Sequence, residues 1–407
     1  MSIIVVKIDS STLSTPEKIE LLADRLIEQK NAGHKIVAVV PPLENLEDKL
    51  LQYAQILTDN PSIRELYALD ALNTQAASSL LAISIDKKGV QAVSLNGWQA
   101  GIEVVQSNHN VLIEGVQQEY IVEHLTNDAI VIVAGSQGIN RNRDILLMGE
   151  GGPETTAVAI GAAIDAAQVE ILTDRDGIYT ADPTVVQQAR KLKQMTYDEM
   201  LELANLGSSS IHPRAVELAK IVEIPLVVRS SSDNSEGTLI KGEVDMEKNL
   251  IVRGVAYEAD IIRLTVGYDS YEQSSLADIF TTLAEHEVDV DIIVQAVIDG
   301  VKPTVSFSIA KEDFADAIKV LEKNKTALGF SFADFEVGLA KVSIVGAGMV
   351  SNPGVAARMF DRLRKENILV KMVSTSEIKV SVVVPQDEMV RAANVLHDEF
   401  NLVEVLA

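Results

Sequence analysis

Short runs of β-branched residues alternate with helical patterns through about residue 240, and this alternation limits the fold more than any other feature of the chain. The runs that indicate strands are Ile3–Val6, Lys35–Val40, Ala92–Leu95, Ile130–Ala134, Glu170–Leu172 and Pro225–Arg229. Helical patterns occupy the intervals, as in Pro16–Asn31 and Tyr197–Leu206. This order predicts an α/β fold with an open, mostly parallel sheet that is covered on both faces. Ligands of such sheets bind beyond the carboxyl ends of the strands, which here lie after Val6, Val40, Ala134 and Leu172.

A glycine turn follows one of these strands and opens an alanine-rich helix. Residues Gly149–Thr156 read G-E-G-G-P-E-T-T, and a helical pattern covers Thr155–Ala167. Backbone N–H groups at such a helix start attract phosphates and carboxylates, yet Glu150 and Glu154 place two carboxylates where an anionic ligand prefers cations. Two interpretations stay open. One is a capped helix with acidic residues settled against its N-terminus, and the other is a nucleotide-type site whose chemistry has been replaced.

The composition disfavours several classes of function. A length of 407 residues predicts two or three domains. A net charge of −24 argues against a nucleic-acid surface, and the absence of cysteine and the six scattered histidines argue against disulfide, thiolate or metal sites. No apolar run reaches the roughly 18 residues of a membrane span, and the sequence starts without a signal pattern. We therefore expect a cytoplasmic protein that binds neither nucleic acid nor membrane.

The chain changes in character after a polar loop at Ser230–Gly237. Residues 261–325 and 341–407 each show strand, helix, strand, strand and helix patterns in that order. The closing strands and helices are Thr304–Ile309 with Asp313–Leu321, and Lys379–Val384 with Met389–Phe400. The two copies form an internal repeat with a period of about 80 residues. Such paired units offer a seam for a small ligand or a second subunit.

Long segments throughout the chain resemble the aspartate kinase family. Before the repeat, the similar segments are Gly97–Gly101, Asp176–Pro183 (D-G-I-Y-T-A-D-P), Ala189–Leu192, Tyr197–Ala204 and His212–Arg214. Within the repeat, the segments that resemble the family's tandem ACT regulatory domains are Lys341–Met349, Asn352–Ala357 and Val373–Ser381. The resemblance covers essentially the whole chain and is greatest to the lysine-responsive aspartokinases of Bacillus-type bacteria.

The resemblance implies an amino-acid-kinase fold over residues 1–245, an ACT domain with its linker over 246–335 and a second ferredoxin-like ACT domain over 336–407. The family transfers the γ-phosphoryl group of Mg-ATP to the side-chain carboxylate of L-aspartate, on the route to lysine, threonine and methionine. That reaction depends mostly on positioning and charge neutralisation. The nucleotide-binding residues implied by the resemblance are Asp176, Gly177, Tyr179, Asp182 and Pro183.

The first loop and the substrate-amine site depart from the family pattern. The family's first strand ends K-F-G-G-T-S, whereas this chain retains Lys7 and continues with Ile8, Asp9 and Ser10. A carboxylate at Asp9 opposes charge neutralisation beside a transferring phosphate. Thr74 stands where the family has the glutamate that holds the substrate amine, and the family's serine-alanine-methionine segment is replaced by Pro41–Leu43.

The glycine turn departs in the same way. Glu150 stands where the family has the arginine that clamps the α-carboxylate of the substrate. The family's serine and aspartate of this turn are replaced by Pro153 and Glu154. Near the nucleotide segment, Arg175 and Thr184 also differ from the usual residues. The replacements gather at the ligand ends of the strands, whereas the scaffold segments stay.

These replacements predict an aspartate kinase homologue with impaired catalysis, which retains a regulatory role in amino-acid binding and oligomerisation. We expect no tightly bound cofactor and only weak binding of Mg-ATP. Two alternatives stay open: an active aspartate kinase with an unusual pocket, and an enzyme of the amino-acid-kinase fold with another substrate.

The repeat is expected to bind lysine or threonine and to join subunits into a homodimer. By resemblance, the effector-binding residues are Ser274, Ser275, Gln295, Asn352, Pro353, Val355, Thr375 and Glu377. Met246 resembles the internal start that yields an ACT-only subunit in Bacillus-type relatives. An ACT-only subunit and an active aspartokinase are therefore alternative partners.

Overall fold

The computed structural model describes residues 2–43, 47–107, 110–206, 211–243, 251–269, 276–296, 303–349, 352 and 354–403. The chain forms two compact units. The first comprises Met1–Ile178, Lys191–Ala204 and Ser209–Met246. The second comprises Tyr179–Arg190, Asn205–Ser208 and Glu247–Ala407.

The first unit contains two sheets. Its strands are β1 (Ile3–Lys7), β2 (Lys35–Val40), β3 (Ala92–Leu95), β4 (Ile102–Ser107), β5 (Asn110–Val116), β6 (Ile130–Ala134), β7 (Gln137–Ile139), β8 (Ile145–Leu147), β9 (Gln168–Thr173), β10 (Gln194–Thr196), β11 (Leu226–Ser230) and β12 (Thr238–Lys241). The main sheet has the order β10-β12-β11-β9-β1-β2-β6-β3, and the smaller one has the order β5-β4-β7-β8. In the main sheet only the β11–β12 pair is antiparallel among the described pairings. The predicted open, mostly parallel sheet is confirmed, and all the predicted strands are present.

The helices of this part of the chain are α1 (Pro16–Asn31), α2 (Glu47–Leu57), α3 (Ile63–Lys87), α4 (Glu119–Thr126), α5 (Gly152–Ala163), α6 (Tyr197–Asn205) and α7 (Pro213–Ile221). Helix α5 starts and ends earlier than the predicted Thr155–Ala167. It starts early because Pro153 suits the first turn of a helix. It ends before Asp165, whose φ of 50° is not helical.

Helix α1 shows how the sequence positions the carboxyl end of β1. Thr15 accepts a hydrogen bond from the backbone N–H of Lys18, and Pro16 occupies the first turn. The helix then buries one face against the central strands through Ile19, Leu22, Ala23 and Leu26. At roughly 25 cal/mol per Å² of buried apolar surface, such a face contributes several kcal/mol. The central strand is thereby fixed, and its last residues are held at the edge where ligands of this fold bind.

The second unit contains one antiparallel sheet and four described helices. Its strands are β13 (Gly254–Gly267), β14 (Ile293–Ala296), β15 (Thr304–Ala310), β16 (Phe332–Val345), β17 (Met372–Thr375) and β18 (Lys379–Pro385). The helices are α8 (Leu276–Ala284), α9 (Phe314–Leu328), α10 (Val355–Lys365) and α11 (Met389–Glu399). The strand order is β14-β15-β13-β16-β18-β17. Along the chain, strand, helix, strand, strand and helix occur twice, which confirms the internal repeat.

The two repeats share their longest strands. Gly254–Glu258 of β13 pair with Lys341–Val345 of β16, whereas Ile261–Gly267 pair with the earlier part of β16. The boundary between residues 335 and 336 therefore falls inside a continuous strand. The domain limits at 245 and 335 stay predictions, and Met246 lies outside the described residues. Within the described part of the chain, no helix is long and apolar enough to cross a membrane.

Candidate functional site

The glycine turn between β8 and α5 needs glycine for structural reasons. Gly149 and Gly151 adopt the left-handed backbone conformation, with φ of 67° and 66°. A Cβ on Gly151 would lie 2.3 Å from Cγ of His212, and one on Gly152 would lie 2.4 Å from Oγ of Ser136. Packing alone therefore accounts for Gly151 and Gly152, so their presence is no argument for a bound anion.

The first turn of α5 uses much of its own hydrogen-bonding capacity. The N–H of Gly152 donates to the carbonyl of Gly149 at 3.0 Å, and the N–H of Thr155 donates to the carbonyl of Gly151 at 2.9 Å. The hydroxyl of Thr155 donates to the same carbonyl at 2.7 Å, and Pro153 has no N–H. The anion cradle considered from the sequence is thus largely occupied by contacts within the turn.

Lys7, the last residue of β1, is paired with Glu154 in the first turn of α5. Nζ of Lys7 lies 2.6 Å from Oε1 of Glu154, and each side chain is only 12% exposed. Such a short, shielded pair is among the stronger charged contacts of a protein. Glu150, in contrast, is exposed. The structure therefore brings Lys7 and Glu154 together and neutralises the retained lysine with a carboxylate of the same unit.

Asp9 organises the loop that follows β1. It caps the short 3-10 helix Ser10–Leu13, and its Oδ2 accepts hydrogen bonds from the hydroxyls of Ser11 at 2.7 Å and Ser231 at 3.0 Å. The loop is consequently a capped turn whose carboxylate is tied to two serines. Two glycines at Asp9 and Ser10, as in the family motif, would leave the backbone bare for a phosphate.

Thr74 lies inside a closed hydrogen-bond network on α3. It is 4% exposed, its hydroxyl donates to the carbonyl of Ala71 at 3.1 Å and it accepts from Nε2 of Gln137 at 2.5 Å. Gln137 also donates to Ala71, and its Oε1 accepts from Gln75 and from the N–H of Gly97. Both amide hydrogens and both lone pairs of Gln137 are thereby used. Thr74, the position for which the family resemblance implies a glutamate, is therefore neutral and buried, and its hydroxyl both donates and accepts a hydrogen bond.

The segment Pro41–Leu43, which follows β2, is hydrogen-bonded to helix α3. Asn73 accepts the N–H of Leu43 at 3.0 Å and donates to the carbonyl of Leu43 at 3.1 Å. Pro41 is buried. This pair of bonds fixes the carboxyl end of β2 in a turn that lacks the hydroxyl of the family's serine.

The nucleotide segment is divided between the two units. Asp176 and Gly177 lie in the first unit, where Oδ2 of Asp176 lies 2.9 Å from Nζ of Lys191. Gly177 has a φ of 150°, and a Cβ there would lie 2.6 Å from Oγ1 of Thr238. These features, like those of the glycine turn, are compatible with a purely structural role.

The continuation of the segment, Tyr179–Arg190, belongs to the second unit. Asp182 accepts the N–H and the hydroxyl of Thr184 at 2.9 and 2.7 Å, while Tyr179 and Pro183 are half-buried. Thr180 hydrogen-bonds to Nε2 of His397 on α11 at 2.9 Å. Burial lowers the pKa of His397 to about 4, so the ring is neutral at pH 7.

Apolar residues of this segment also enter a core. Ala181 and Val186 are buried in one hydrophobic cluster with residues of β13, β16, β18, α10 and α11. The motif that resembles a nucleotide site thus forms part of the second unit's interior. Packing therefore accounts for Ala181 of this segment without any nucleotide.

The predicted effector residues that the structure describes lie in the second unit. Gln295 and Thr375 are exposed on the edge strands β14 and β17, and Glu377 is exposed beyond β17. Nδ2 of Asn352 donates to the carbonyl of Gly348 at 2.7 Å, and Val355 is buried at the start of α10. Ser274, Ser275 and Pro353 lie outside the described residues.

Comparison with known proteins agrees with this arrangement. A family model described as "Amino acid kinase family" matches residues 2–230, and one described as "ACT domain" matches residues 342–400. The chain is 47% identical to Aspartokinase 2 of Bacillus subtilis (strain 168) over 402 residues, covering 99% of this chain and 98% of that protein. It is 46% identical to an aspartokinase of Geobacillus stearothermophilus over 408 residues, covering 100% and 99%.

A solved structure supports the fold. E. coli aspartokinase III in complex with aspartate and ADP has a TM-score of 0.77 at 19% identity, over 98% of this chain and 99% of that one. The sheet order, the turn before α5 and the βαββα repeat together define a protein of the amino-acid-kinase class with a C-terminal ACT region. The chain belongs to the aspartokinase family.

Proposed function

We propose that this chain is an aspartokinase homologue with impaired catalysis, whose remaining role is regulatory: it binds an amino-acid effector and assembles with other subunits. The observation that carries the proposal is the closed network around Thr74. A substrate ammonium needs an acceptor with negative charge, but Thr74 is neutral and its hydroxyl is already bonded to Ala71 and Gln137. The amine of L-aspartate has no partner at this position.

The charges around the glycine turn support the same proposal. L-aspartate carries two carboxylates, and ATP carries several phosphate charges. Lys7 is paired with Glu154, while Asp9 and Glu150 add further carboxylates near the ends of β1 and β8. Phosphoryl transfer depends on cations that neutralise the transferring group. A site with this charge distribution opposes both the binding of the substrate and the neutralisation of the transition state.

Measuring ATP consumption and aspartyl phosphate formation distinguishes the proposed function from the two alternatives. An active aspartate kinase forms aspartyl phosphate from ATP and L-aspartate, and an amino-acid-kinase-fold enzyme with another substrate consumes ATP only when that substrate is supplied. A non-catalytic homologue shows neither activity. The curated relatives are named aspartokinases, so aspartyl phosphate formation is the assay that decides first.

We expect adenosine to compete for the nucleotide site nearly as well as ATP does. The adenine-side segment Asp176–Pro183 is retained, whereas Asp9 and the Lys7–Glu154 pair disfavour phosphates. Displacement of a fluorescent adenosine derivative, with and without Mg²⁺, measures the two affinities. Asp9→Asn is the matched control, because it keeps a hydrogen-bonding oxygen for Ser11 and removes the charge. It is expected to improve the affinity for ATP relative to adenosine at least about tenfold, because a like charge costs about 4 kcal/mol at 4 Å and about 1.4 kcal/mol even at about 12 Å, at an effective dielectric of 20. Tight, Mg-dependent binding of ATP to the unchanged protein contradicts this assignment.

The ACT region is expected to bind lysine or threonine and to join subunits. Strands β14 and β17 are the two edges of its sheet, and their exposed apolar side chains include Ile293 and Val373. Open strand edges of this kind favour pairing with a second chain. Light scattering is expected to give a dimer or a mixed oligomer with ACT-only or active subunits, and calorimetry is expected to give heat on titration with lysine or threonine. A strictly monomeric protein that gives no heat with either amino acid overturns this role.

A further inference from the structure

A groove of the first unit lies between β5, α5 and α7, and none of the predicted catalytic, nucleotide or effector residues lines it. Its volume is about 570 Å³, within the usual range for small-molecule sites. The walls are mainly apolar and come from Leu112, the alanines of α5, and Leu218, Ile221 and Val222. Ile221 is 78% exposed and, with the partly exposed Leu112 and Val222, forms an apolar patch beside the groove. The groove therefore has the shape and the lining of a site for an apolar molecule.

The alanines of α5 keep this groove open. Ala159, Ala162 and Ala163 line it and are each only partly buried. A larger residue at any of these positions would extend into the space between α5 and α7. The alanine-rich pattern noted in the sequence thus does more than favour a helix. It also leaves open space beside the helix.

Arg214 supplies one polar end of the groove. Its guanidinium donates to the carbonyl of Met148 at 3.2 Å and to the carbonyl of Val111. Those bonds use two of its five N–H groups. Within the described part of the chain, Arg214 forms no ion pair with a carboxylate. Burial lowers the pKa of Arg214.

A partly buried guanidinium that keeps N–H groups beyond its two backbone bonds is suited to bind a planar anion. Glu217, one turn further along α7, also lines the groove and is exposed. An α-amino acid would place its carboxylate at Arg214, its ammonium at Glu217 and its side chain against the alanines. An organic acid would use Arg214 and the apolar wall alone.

We propose that this groove binds a small carboxylate with a branched hydrocarbon body, held by Arg214 and by the alanine face of α5. The site goes beyond the role proposed above, since it uses none of the predicted catalytic, nucleotide or effector residues. Leucine and 4-methylpentanoate share the carboxylate and the hydrocarbon body, and they differ in the ammonium group. They therefore separate an amino-acid ligand from an organic acid.

Calorimetric titration of the full-length chain with leucine, 4-methylpentanoate and 3-methylbutylamine tests the proposal. At least one of the two carboxylates is expected to bind, whereas the amine, which lacks the carboxylate, is expected to give no saturable heat. Preference for leucine assigns the ammonium to the carboxylates that line the groove, Glu217 and Glu114, and preference for 4-methylpentanoate assigns the site to organic acids. Saturating lysine and threonine are included in a second series, so that binding at the ACT region does not contribute. Failure of both carboxylates to bind, or equal binding of the amine, overturns the proposal.

Three variants locate the binding. Arg214→Gln is expected to weaken it at least about tenfold, which corresponds to the loss of one charged hydrogen bond. Ala159→Phe fills the groove without touching the bonds of Arg214, so it is expected to abolish binding even if Arg214→Gln destabilises the turn. Lys220→Gln is the matched control, because Lys220 lies on the same helix and its Nζ contacts Asp198 instead of the groove. Unchanged binding in Ala159→Phe rules out this groove as the site. Because aspartyl phosphate formation is measured separately, the failure of this proposal is distinct from the failure of the proposed function.

Discussion

The purified chain is expected to form aspartyl phosphate from Mg-ATP and L-aspartate at least about a hundredfold more slowly than an ordinary kinase, whose turnover is about 1–100 s⁻¹. By resemblance to the family, two substrate contacts are expected to be missing at once. Glu150 stands at the position of the clamp for the α-carboxylate, and Thr74 at that of the acceptor for the amine. Each charged hydrogen bond is worth about 1.5–3 kcal/mol. Two such losses together amount to about 3–6 kcal/mol, and each 1.36 kcal/mol is a factor of ten.

The assay is release of ADP together with trapping of aspartyl phosphate as its hydroxamate. An active aspartokinase in the same buffer is the positive control, and omission of L-aspartate gives the background. Turnover by the unchanged protein within the ordinary kinase range would overturn the proposal of impaired catalysis.

The single variant Glu150→Arg is expected to remain inactive. Restoring the arginine returns one carboxylate contact but leaves Thr74 inside its saturated network and Lys7 paired with Glu154. Residues that act as a unit in catalysis are strongly non-additive, so one restored group gives little rate. A large rise in turnover from this one substitution would show that Thr74 and the first loop do not limit the reaction. It would favour the reading of an active kinase with an unusual pocket.

Much of the fold is predictable from the sequence because it rests on local patterns. The buried strands of the main sheet are short β-branched runs, and Lys35–Val40 and Ile130–Ala134 were predicted with the observed ends. The start of helix α1 is likewise predicted by its N-cap, Thr15, and by Pro16 in its first turn. The hairpin of β4 and β5 was not predicted, since its exposed residues interrupt the alternation of apolar and polar positions. Periodicity is a weak guide for strands at the margin of a sheet.

The candidate site is only half predictable. The replaced positions Asp9, Thr74 and Glu150 are found by comparison with the family motif, but the partners that now occupy them are not. Gln137 is 63 positions from Thr74, and no feature of its own segment marks it as the residue that closes the network. The Lys7–Glu154 pair similarly joins the ends of two distant elements. Such contacts are set by the packing of whole elements and leave no local signature in the sequence.

Retained motifs also have structural causes that the sequence does not reveal. The nucleotide-like segment includes Ala181, which packs with the nearby Val186 in a core of the second unit. In the glycine turn, Gly151 faces the ring of His212. Some residues of a family motif are therefore explained by packing in the fold. A bound ligand must be inferred from the charged and hydrogen-bonding groups that packing does not explain.

Gly151→Ala is expected to destabilise the first unit by about 3 kcal/mol. A non-glycine residue in the left-handed region costs roughly 1–2 kcal/mol, and forcing a methyl group into a packed site costs about 1–3 kcal/mol more. Here the methyl group would meet Cγ, Nδ1 and Cβ of His212 at 2.3–2.6 Å. His212 cannot move away freely, because its Nδ1 accepts the N–H of Arg214 and thereby caps α7. Thermal unfolding is expected to shift by roughly 6–12 °C at 2–4 °C per kcal/mol.

Gly149→Ala separates the backbone term from the packing term. Gly149 has nearly the same φ, 67° against 66°, but a Cβ there would meet no atom within 4 Å. Its substitution is expected to cost only the backbone term, about 1–2 kcal/mol. Adding His212→Gly to each variant completes the test: removing the whole side chain, including its Cβ, should recover about 1–3 kcal/mol of coupling in the Gly151 variant and nothing in the Gly149 variant, as a double-mutant cycle measures directly. Equal destabilisation by the two alanine variants, with no coupling to His212, would mean that the glycine at 151 is kept for a reason other than packing. A ligand that approaches its backbone would then be the explanation to pursue.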